Sequence, residues 1–336
     1  MEQRSQVEIL FKLIDETATL LKEELSCTYI EAVAETGENI FQQAIVQEEV
    51  SELSKKHLEK EYSSLLKMNY SKEEIRKAYQ LAILKGMHEG AQVNHQMTPD
   101  AVALFIGYLI SKVTRDKKHF TIFDPAIGTA NLLTAVMNQN ADKEINAFGS
   151  EVDDLLVKLA YVSANLQEHN IQLYNQDSLE KLYVDPVDIV VCDLPYGYYP
   201  NDVNAANYTL KVDSGHSYAH HLFIEQSLNH TKPGGYIVLL IPNALFESPE
   251  APKLNAFITE NMHIQGLIQL PTTMFRNKDA AKSIFMLQKK AEGITAPKQA
   301  LLANLPSFSN RDSMTSMIQK IDQWFEDEKK LEVEKR

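Results

Sequence analysis

The chain has 336 residues, of which 44% are hydrophobic and 24% charged, a composition typical of a globular protein with room for one large domain and a smaller one. Its formal net charge of −13 excludes the overall basic excess that drives tight, independent binding to duplex nucleic acid. The two cysteines, Cys27 and Cys192, argue against a disulfide framework, and the absence of an apolar run of roughly 18 residues argues against a membrane helix, so a cytoplasmic protein is predicted.

Residues 1–92 are predicted to form an N-terminal helical domain. Apolar residues recur there at helical spacing, and glycine and proline are almost absent. Ser71 and Glu74 have the spacing of a capping box at the start of one of these helices. We expect a helical lid or bundle; docking of a partner or contact with nucleic acid is the alternative function for this segment.

Residues 93–290 change to an alternation of strands and helices that favours a doubly wound, mostly parallel α/β sheet. A helix is predicted to start at Thr98, with Pro99 in the favoured first position. Seven strands are predicted along this range: HFTIFD, INAFGSEV, IQLYNQD, VDIVVCD, YIVLLIP, HIQGLIQLP and KSIFMLQKK. Residues 291–336 are expected to form an extended connection and a charged terminal helix that contains Trp324.

Acidic residues end the first three of these strands. They are Asp124, Glu151 and Asp177, and ligands bind at the carboxyl ends of strands in doubly wound sheets. Gly128 follows Asp124 in a strand-to-helix turn, where it allows positive φ or a close backbone approach. Glu151 lies 23 residues after Gly128, near the spacing of an acid that binds ribose hydroxyls. The alternative for each acid is a turn without a ligand, but together they predict a nucleoside pocket.

The fourth strand ends in a candidate catalytic loop, Asp193-Leu194-Pro195-Tyr196. An amine on a conjugated ring is a poor nucleophile because its lone pair is delocalised. A carboxylate and a backbone carbonyl that both accept hydrogen bonds from the amine draw the nitrogen toward tetrahedral geometry, and a stacked aromatic ring aligns it. Asp193, the Leu194 carbonyl and Tyr196 fit these functions, and Pro195 fixes the turn. The alternative is a proline turn that closes the strand.

Together these motifs resemble the N6-adenine DNA methyltransferases, and most closely the modification subunits of type I restriction systems. Three further segments share the resemblance: the run from His95 to Pro99, the run from Thr231 to Gly235, and Leu270-Pro271-Thr272-Thr273-Met274-Phe275 with Lys282-Ser283-Ile284. The resemblance implies a class I, Rossmann-like fold and S-adenosylmethionine (SAM) as methyl donor. It implies SAM contacts from Met97, Thr98, Asp124, Pro125, Ala126, Gly128, Thr129, Asn131, Leu132, Glu151, Val152, Asp177, Ser178 and Asp193.

The expected activity is methyl transfer to adenine N6 in DNA, with a specificity subunit or another protein as a further partner. Two positions depart from the family: Leu194 replaces a proline, and Ala130 replaces a glycine. The methyl group of Ala130 is expected to crowd the ligand slightly unless φ is negative. The acidic balance and the lack of a sizeable target-recognition domain leave open transfer to an RNA base or a glutamine amide. The two departures leave open a SAM-binding regulatory protein without catalysis. No metal site is predicted from His216, His220 and His221, and the aromatic-rich insertion 197–217 is either a mobile loop over a base or a packed loop.

Overall fold

The structure is a computed structural model that describes residues 5–65, 68–90, 97–275 and 280–334. The chain divides into two compact units. The helical unit comprises Met1–Gly107, Ile127–Ala141 and Gly149–Gln176. The sheet unit comprises Tyr108–Ala126, Asp142–Phe148 and Asp177–Arg336. His95 and Gln96, the first two residues of the run from His95 to Pro99 that resembles methyltransferases, lie outside the described residues.

Four helices form the N-terminal part: α1 (Gln6–Leu25), α2 (Tyr29–Gln42), α3 (Glu52–Leu65) and α4 (Lys72–Gly90). The capping box predicted before α4 is confirmed, because the Glu74 amide donates to the Ser71 hydroxyl at 3.3 Å and the Ser71 amide donates to the Glu74 carboxylate at 2.8 Å. Reciprocal caps of the same kind open α1 and α2. Apolar faces of these helices meet in one buried cluster that also takes in Leu159 and Val162, so the helical domain predicted from periodicity is present.

The alternation of strands and helices after the N-terminal part is also as predicted. The helices are α5 (Asp100–Val113), α6 (Asn131–Gln139), α7 (Asp154–Leu166), α8 (Asp202–Ala205), α9 (Ala219–Asn229), α10 (Ala251–Asn261) and α11 (Arg311–Glu334). The strands are β1 (His119–Asp124), β2 (Glu144–Glu151), β3 (Ile171–Asn175), β4 (Val187–Asp193), β5 (Thr231–Pro242), β6 (Met262–Gln269), β7 (Lys282–Lys289) and β8 (Leu301–Asn304). α5 begins two residues later than predicted, because Pro99 accepts hydrogen bonds through its carbonyl from Val102 and Ala103 and so precedes the first turn.

The strands form a mostly parallel sheet in the order β3-β2-β1-β4-β5-β7-β6-β8. β4 is parallel to β1 and to β5, and β7 is antiparallel to β5 and to β6. In the middle of the sheet, Cys192 lies opposite Leu239, and Leu239 lies opposite Phe285. All three are almost fully buried, so the core of the sheet unit lies along β4, β5 and β7.

The prediction of seven strands was wrong, since the described residues form eight. β8 runs parallel to β6 and pairs Leu301 with Gly266. A side chain on Gly266 would place its first carbon 2.9 Å from the Leu301 carbonyl oxygen, so glycine is what allows the two strands to approach. A glycine inside a strand is a known sign of such an approach, and Gly266 was the available signal for the extra strand.

The terminal helix α11 is tied to α5 within the sheet unit. The Tyr108 hydroxyl donates to Asp322 at 2.6 Å, Lys112 pairs with the same carboxylate at 2.6 Å, and Arg115 pairs with Glu326 at 2.8 Å. The domain boundaries at 92/93 and 290/291 stay a prediction. Among the helices that the structure describes, none is both long enough and apolar enough to span a bilayer.

Candidate functional site

The predicted cofactor loop contains a turn that is open beside Gly128. Gly128 has φ +54°, and a β-carbon built there meets no atom within 4 Å. Its amide donates to Glu151 Oε2 at 3.0 Å, while Glu151 Oε1 accepts from the Val152 and Asp153 amides at 2.9 and 3.0 Å. The carboxylate therefore fixes the loop. An ionised carboxylate has about four acceptor sites, so these bonds leave capacity for a ligand hydroxyl.

Ala130 has a positive φ of +63° and ψ of +13° and is fully buried. This left-handed conformation suits glycine and costs an alanine about 1–2 kcal/mol. Ala130 is also the N-cap of α6, and no side-chain hydrogen bond caps that helix. Alanine was expected to be harmless here only if φ were negative, and φ is positive. The loop therefore keeps a backbone conformation that glycine favours while carrying a methyl group.

Asn131 is fixed by hydrogen bonds within the helical unit. Its Nδ2 donates to the Thr98 carbonyl at 3.1 Å, and its Oδ1 accepts from Arg76 Nη1 at 2.7 Å. Arg76 is only 1% exposed and also pairs with Glu73 and Asp100. The Asn131 side chain is thus buried and engaged at both ends by protein groups, and its contact with SAM stays a prediction. Arg76 was not predicted from the sequence, although an arginine among the buried residues of α4 was a usable signal.

At the end of β1, the Asp124 carboxylate accepts from the Ala126 amide at 3.0 Å and is 1% exposed. The Pro125 carbonyl accepts from the Ser178 hydroxyl at 2.5 Å. Burial, and after it the charges of Asp124 and Asp193, raise the pKa of the Cys192 thiol well above its usual value. Within the sheet unit, the predicted residues at the ends of β1 and β4 therefore share one electrostatic environment.

Asp177 is held by the insertion 197–217. Its Oδ2 accepts from the Tyr199 hydroxyl at 2.5 Å and its Oδ1 accepts from the Leu179 amide at 2.9 Å. Burial first, and then the bond to Asp177, raise the pKa of the Tyr199 phenol. Tyr208 is also buried and donates to the Leu179 carbonyl at 2.7 Å. These contacts favour the packed-loop alternative for this part of the insertion.

The catalytic loop leaves β4 with its backbone fixed. The Leu194 amide donates to the Leu240 carbonyl of β5 at 3.1 Å, and the Leu194 side chain is buried. Asp193 Oδ1 forms an ion pair with Lys282 Nζ at 2.6 Å, and both side chains are less than a quarter exposed. Lys282 belongs to a segment that supports the family resemblance. Its contact with Asp193 joins residues 89 positions apart in sequence and was not predicted.

Tyr196 projects outward, with 72% of its surface exposed. Its ring stacks on His220 at a centroid distance of 4.9 Å and an interplanar angle of 17°. Burial lowers the pKa of His220 and of its neighbour His221 to about 4. Across the part of the chain that the structure describes, no group of three or more histidine, cysteine, aspartate or glutamate side chains is arranged to hold a metal ion.

The remaining predicted cofactor residues differ in exposure. Thr129, Leu132 and Ser178 are buried, Met97 is half-buried against the apolar cluster of the helical unit, and Val152 is 68% exposed. Gly128 is hydrogen-bonded to Glu151 within the helical unit, and Ser178 is hydrogen-bonded to Pro125 within the sheet unit. Which of these residues contact SAM stays a prediction.

Comparison with known proteins gives two family matches along the chain. Residues 8–87 match the YtxK N-terminal helical domain, and residues 77–334 match the N-6 DNA Methylase family. The uncharacterized protein YtxK of Bacillus subtilis (strain 168) is 50% identical over 331 residues, which cover 97% of this chain and all of that protein.

Solved structures agree with these matches. A Listeria monocytogenes protein provisionally described as a class I SAM-dependent methyltransferase is 47% identical, with a TM-score of 0.89 over 95% of this chain and 99% of that one. The methyltransferase subunit of a Streptococcus thermophilus type I restriction-modification system shares the fold, with a TM-score of 0.65, 16% identity and coverage of 94% and 74%. The fold implies SAM as the methyl donor. The chain is a SAM-dependent methyltransferase by fold and belongs to the N-6 DNA Methylase family.

Proposed function

We propose that the protein transfers a methyl group from SAM to the N6 amine of adenine in DNA. The observation that supports this best is the loop after β4, which combines a carboxylate at Asp193, a carbonyl at Leu194 and an exposed ring at Tyr196. These are the groups that an exocyclic amine on a conjugated ring requires. Because the Leu194 amide is bonded to β5, the peptide is held in place before an acceptor arrives.

In this mechanism SAM supplies an electrophilic methyl group on a sulfonium. The open backbone at Gly128 and the carboxylate of Glu151 fit a nucleoside with ribose hydroxyls. Asp193 and the Leu194 carbonyl would accept hydrogen bonds from the two amine hydrogens, so that the nitrogen lone pair is freed to attack the methyl carbon. The bond from that carbon to the sulfonium sulfur would break as the C–N bond forms, S-adenosylhomocysteine would leave, and the methylated nitrogen would lose one proton to water. Tyr196 would stack on the base and hold it in line, which is positioning catalysis.

The proposed partners are DNA and a specificity subunit or another protein. The net charge of −13 leaves little general attraction for phosphates, so a second protein that supplies DNA affinity agrees with the composition. The Streptococcus thermophilus neighbour is itself a subunit of a type I system. The proposed place of action is the cytoplasm.

The ion pair between Asp193 and Lys282 favours a second candidate function, a SAM-binding regulatory protein without catalysis. The ammonium of Lys282 is a hydrogen-bond donor at the carboxylate where the acceptor amine would donate. A lysine that stayed there would compete with the acceptor.

Two variants of Asp193 separate these functions. Asp193→Asn keeps an acceptor oxygen and is expected to retain transfer, whereas Asp193→Ala removes it and is expected to abolish transfer with SAM affinity unchanged. Radiolabelled SAM, duplex and single-stranded DNA, RNA and protein are the test reagents, and SAM binding is measured by calorimetry. Genomic DNA from cells that produce the wild type or the alanine variant is also digested and assayed for N6-methyladenine, since cells supply any partner. SAM binding without transfer in either setting would establish the regulatory function instead.

A further inference from the structure

The ring of Tyr196 has one face supported and the rest of its surface open. His220 lies nearly parallel to it at 4.9 Å, while Tyr196 keeps 72% of its surface exposed. An offset or near-parallel pair at this separation is within the favourable range for aromatic side chains. The exposed ring of the proposed catalytic loop is therefore held from behind by a second ring.

His220 is a fixed support. It is the second residue of α9 and is 3% exposed. The edge of His221 lies against it, with centroids 4.8 Å apart at 87°, and Tyr218 lies 5.2 Å away on a tilted plane. Tyr218 stacks in turn on Tyr198 at 5.1 Å. A ring enclosed in this way cannot rotate without displacing its neighbours.

The chemistry of His220 fits a support better than an acid or base. Its Nδ1 is buried and makes no hydrogen bond to the part of the chain that the structure describes. Burial, and after it His221, lower the pKa of His220 to about 4, so the imidazole is neutral at physiological pH. A neutral ring can stack on tyrosine without bringing a charge to the place where an uncharged base would bind.

We propose that His220 is a positioning residue that holds the Tyr196 ring so that its open face stacks on a planar nucleobase acceptor. This inference rests on the proposed function and narrows its substrate class. A stacked platform favours a flat, conjugated ring over the amide of a glutamine side chain, because base–aromatic stacking needs an extended π face.

The test uses equilibrium binding of a single-stranded oligodeoxynucleotide that contains 2-aminopurine, whose fluorescence falls when the base stacks on an aromatic ring. The full-length wild type, saturated with SAM, is compared with His220→Ala and His220→Phe. We expect His220→Ala to weaken the binding that produces quenching by about tenfold and His220→Phe to restore it to within about twofold. His221→Ala is the matched control, since it removes a similarly buried ring that does not stack on Tyr196. It loosens the enclosure of His220 but leaves the Tyr196–His220 stack in place, so it should weaken binding clearly less than His220→Ala.

Thermal unfolding and SAM affinity, measured on each variant, identify any that fails to fold. The inference is overturned if the folded wild type does not quench the probe, if His220→Ala quenches like the wild type, or if His221→Ala loses as much as His220→Ala. It is also overturned if a folded His220→Phe does not recover quenching. Because the readout needs no methyl transfer, His220-dependent quenching without transfer would reject the proposed catalysis and retain the stacking platform. Methyl transfer by a protein whose quenching of the probe does not depend on His220 would retain the proposed catalysis and reject the stacking platform.

Discussion

Replacing Ala130 by glycine is expected to change the free energy of unfolding by less than about 1 kcal/mol, although the alanine is fully buried. Its φ of +63° costs a non-glycine residue about 1–2 kcal/mol, and glycine removes that cost. Glycine also lowers the free energy of unfolding by about 0.4–1 kcal/mol, because it has greater conformational freedom than alanine in the unfolded chain. A further loss of about 0.8 kcal/mol comes from the buried methyl group. The terms nearly cancel.

Ala135 provides the matched control. It is also fully buried and lies inside the same helix, α6, where φ is negative as in any right-handed helix. Ala135→Gly is expected to cost about 1 kcal/mol in helix propensity and about 0.8 kcal/mol in lost burial. The two variants should therefore differ by about 2 kcal/mol in favour of Ala130→Gly.

Urea unfolding followed by far-ultraviolet circular dichroism, at neutral pH and without SAM, measures the difference. Equal losses of stability in the two variants would refute the reasoning, because they would mean that Ala130 has no unfavourable backbone conformation for glycine to relieve. SAM affinity of Ala130→Gly, measured in parallel, shows whether the methyl group affects the ligand as well as the fold.

Two further predictions concern charge. Lys282→Met should raise kcat for methyl transfer roughly fivefold, or about 1 kcal/mol, because it removes the ammonium that pairs with Asp193 Oδ1 at 2.6 Å and competes with the acceptor amine. Steady-state kinetics with saturating SAM test this, and an unchanged or lower kcat contradicts it. Stability should fall as the pH drops from about 6.5 toward 4, because the buried His220 and His221 and the half-buried His169 have a pKa lowered to about 4 and the unfolded chain binds their protons first. Urea midpoints at pH 7 and pH 4.5 measure this loss of stability, and equal midpoints argue against it. Replacing His169, His220 or His221 by glutamine should reduce the dependence of the midpoint on pH.

Local and periodic features of the chain were predictable from sequence. The capping box at Ser71 and Glu74 uses residues three positions apart, so its spacing is visible directly. The strands that end at Asp124 and Asp193 are runs of buried, β-branched or aromatic residues followed by an acid and a proline-containing turn. Such features depend on nearby residues, and the structure places them as predicted.

Features that depend on distant residues or on backbone torsion were not predictable. Alanine is compatible with either sign of φ, so the sequence did not determine the left-handed conformation of Ala130. The pairing of Asp193 with Lys282 joins two strands that are neighbours only through β5. The engagement of both ends of Asn131 required Arg76, which lies 55 residues earlier.

The pairing of β8 with β6 has a consequence for the behaviour of the chain in concentrated solution. An uncovered strand at the margin of a sheet offers unpaired amides and carbonyls to any other extended chain and so promotes aggregation. β8 occupies that margin with only four residues, too few to recruit a long foreign strand. The segment 291–336, predicted to be a connection and a terminal helix, thus limits strand addition at this margin of the sheet, while β3 forms the opposite margin.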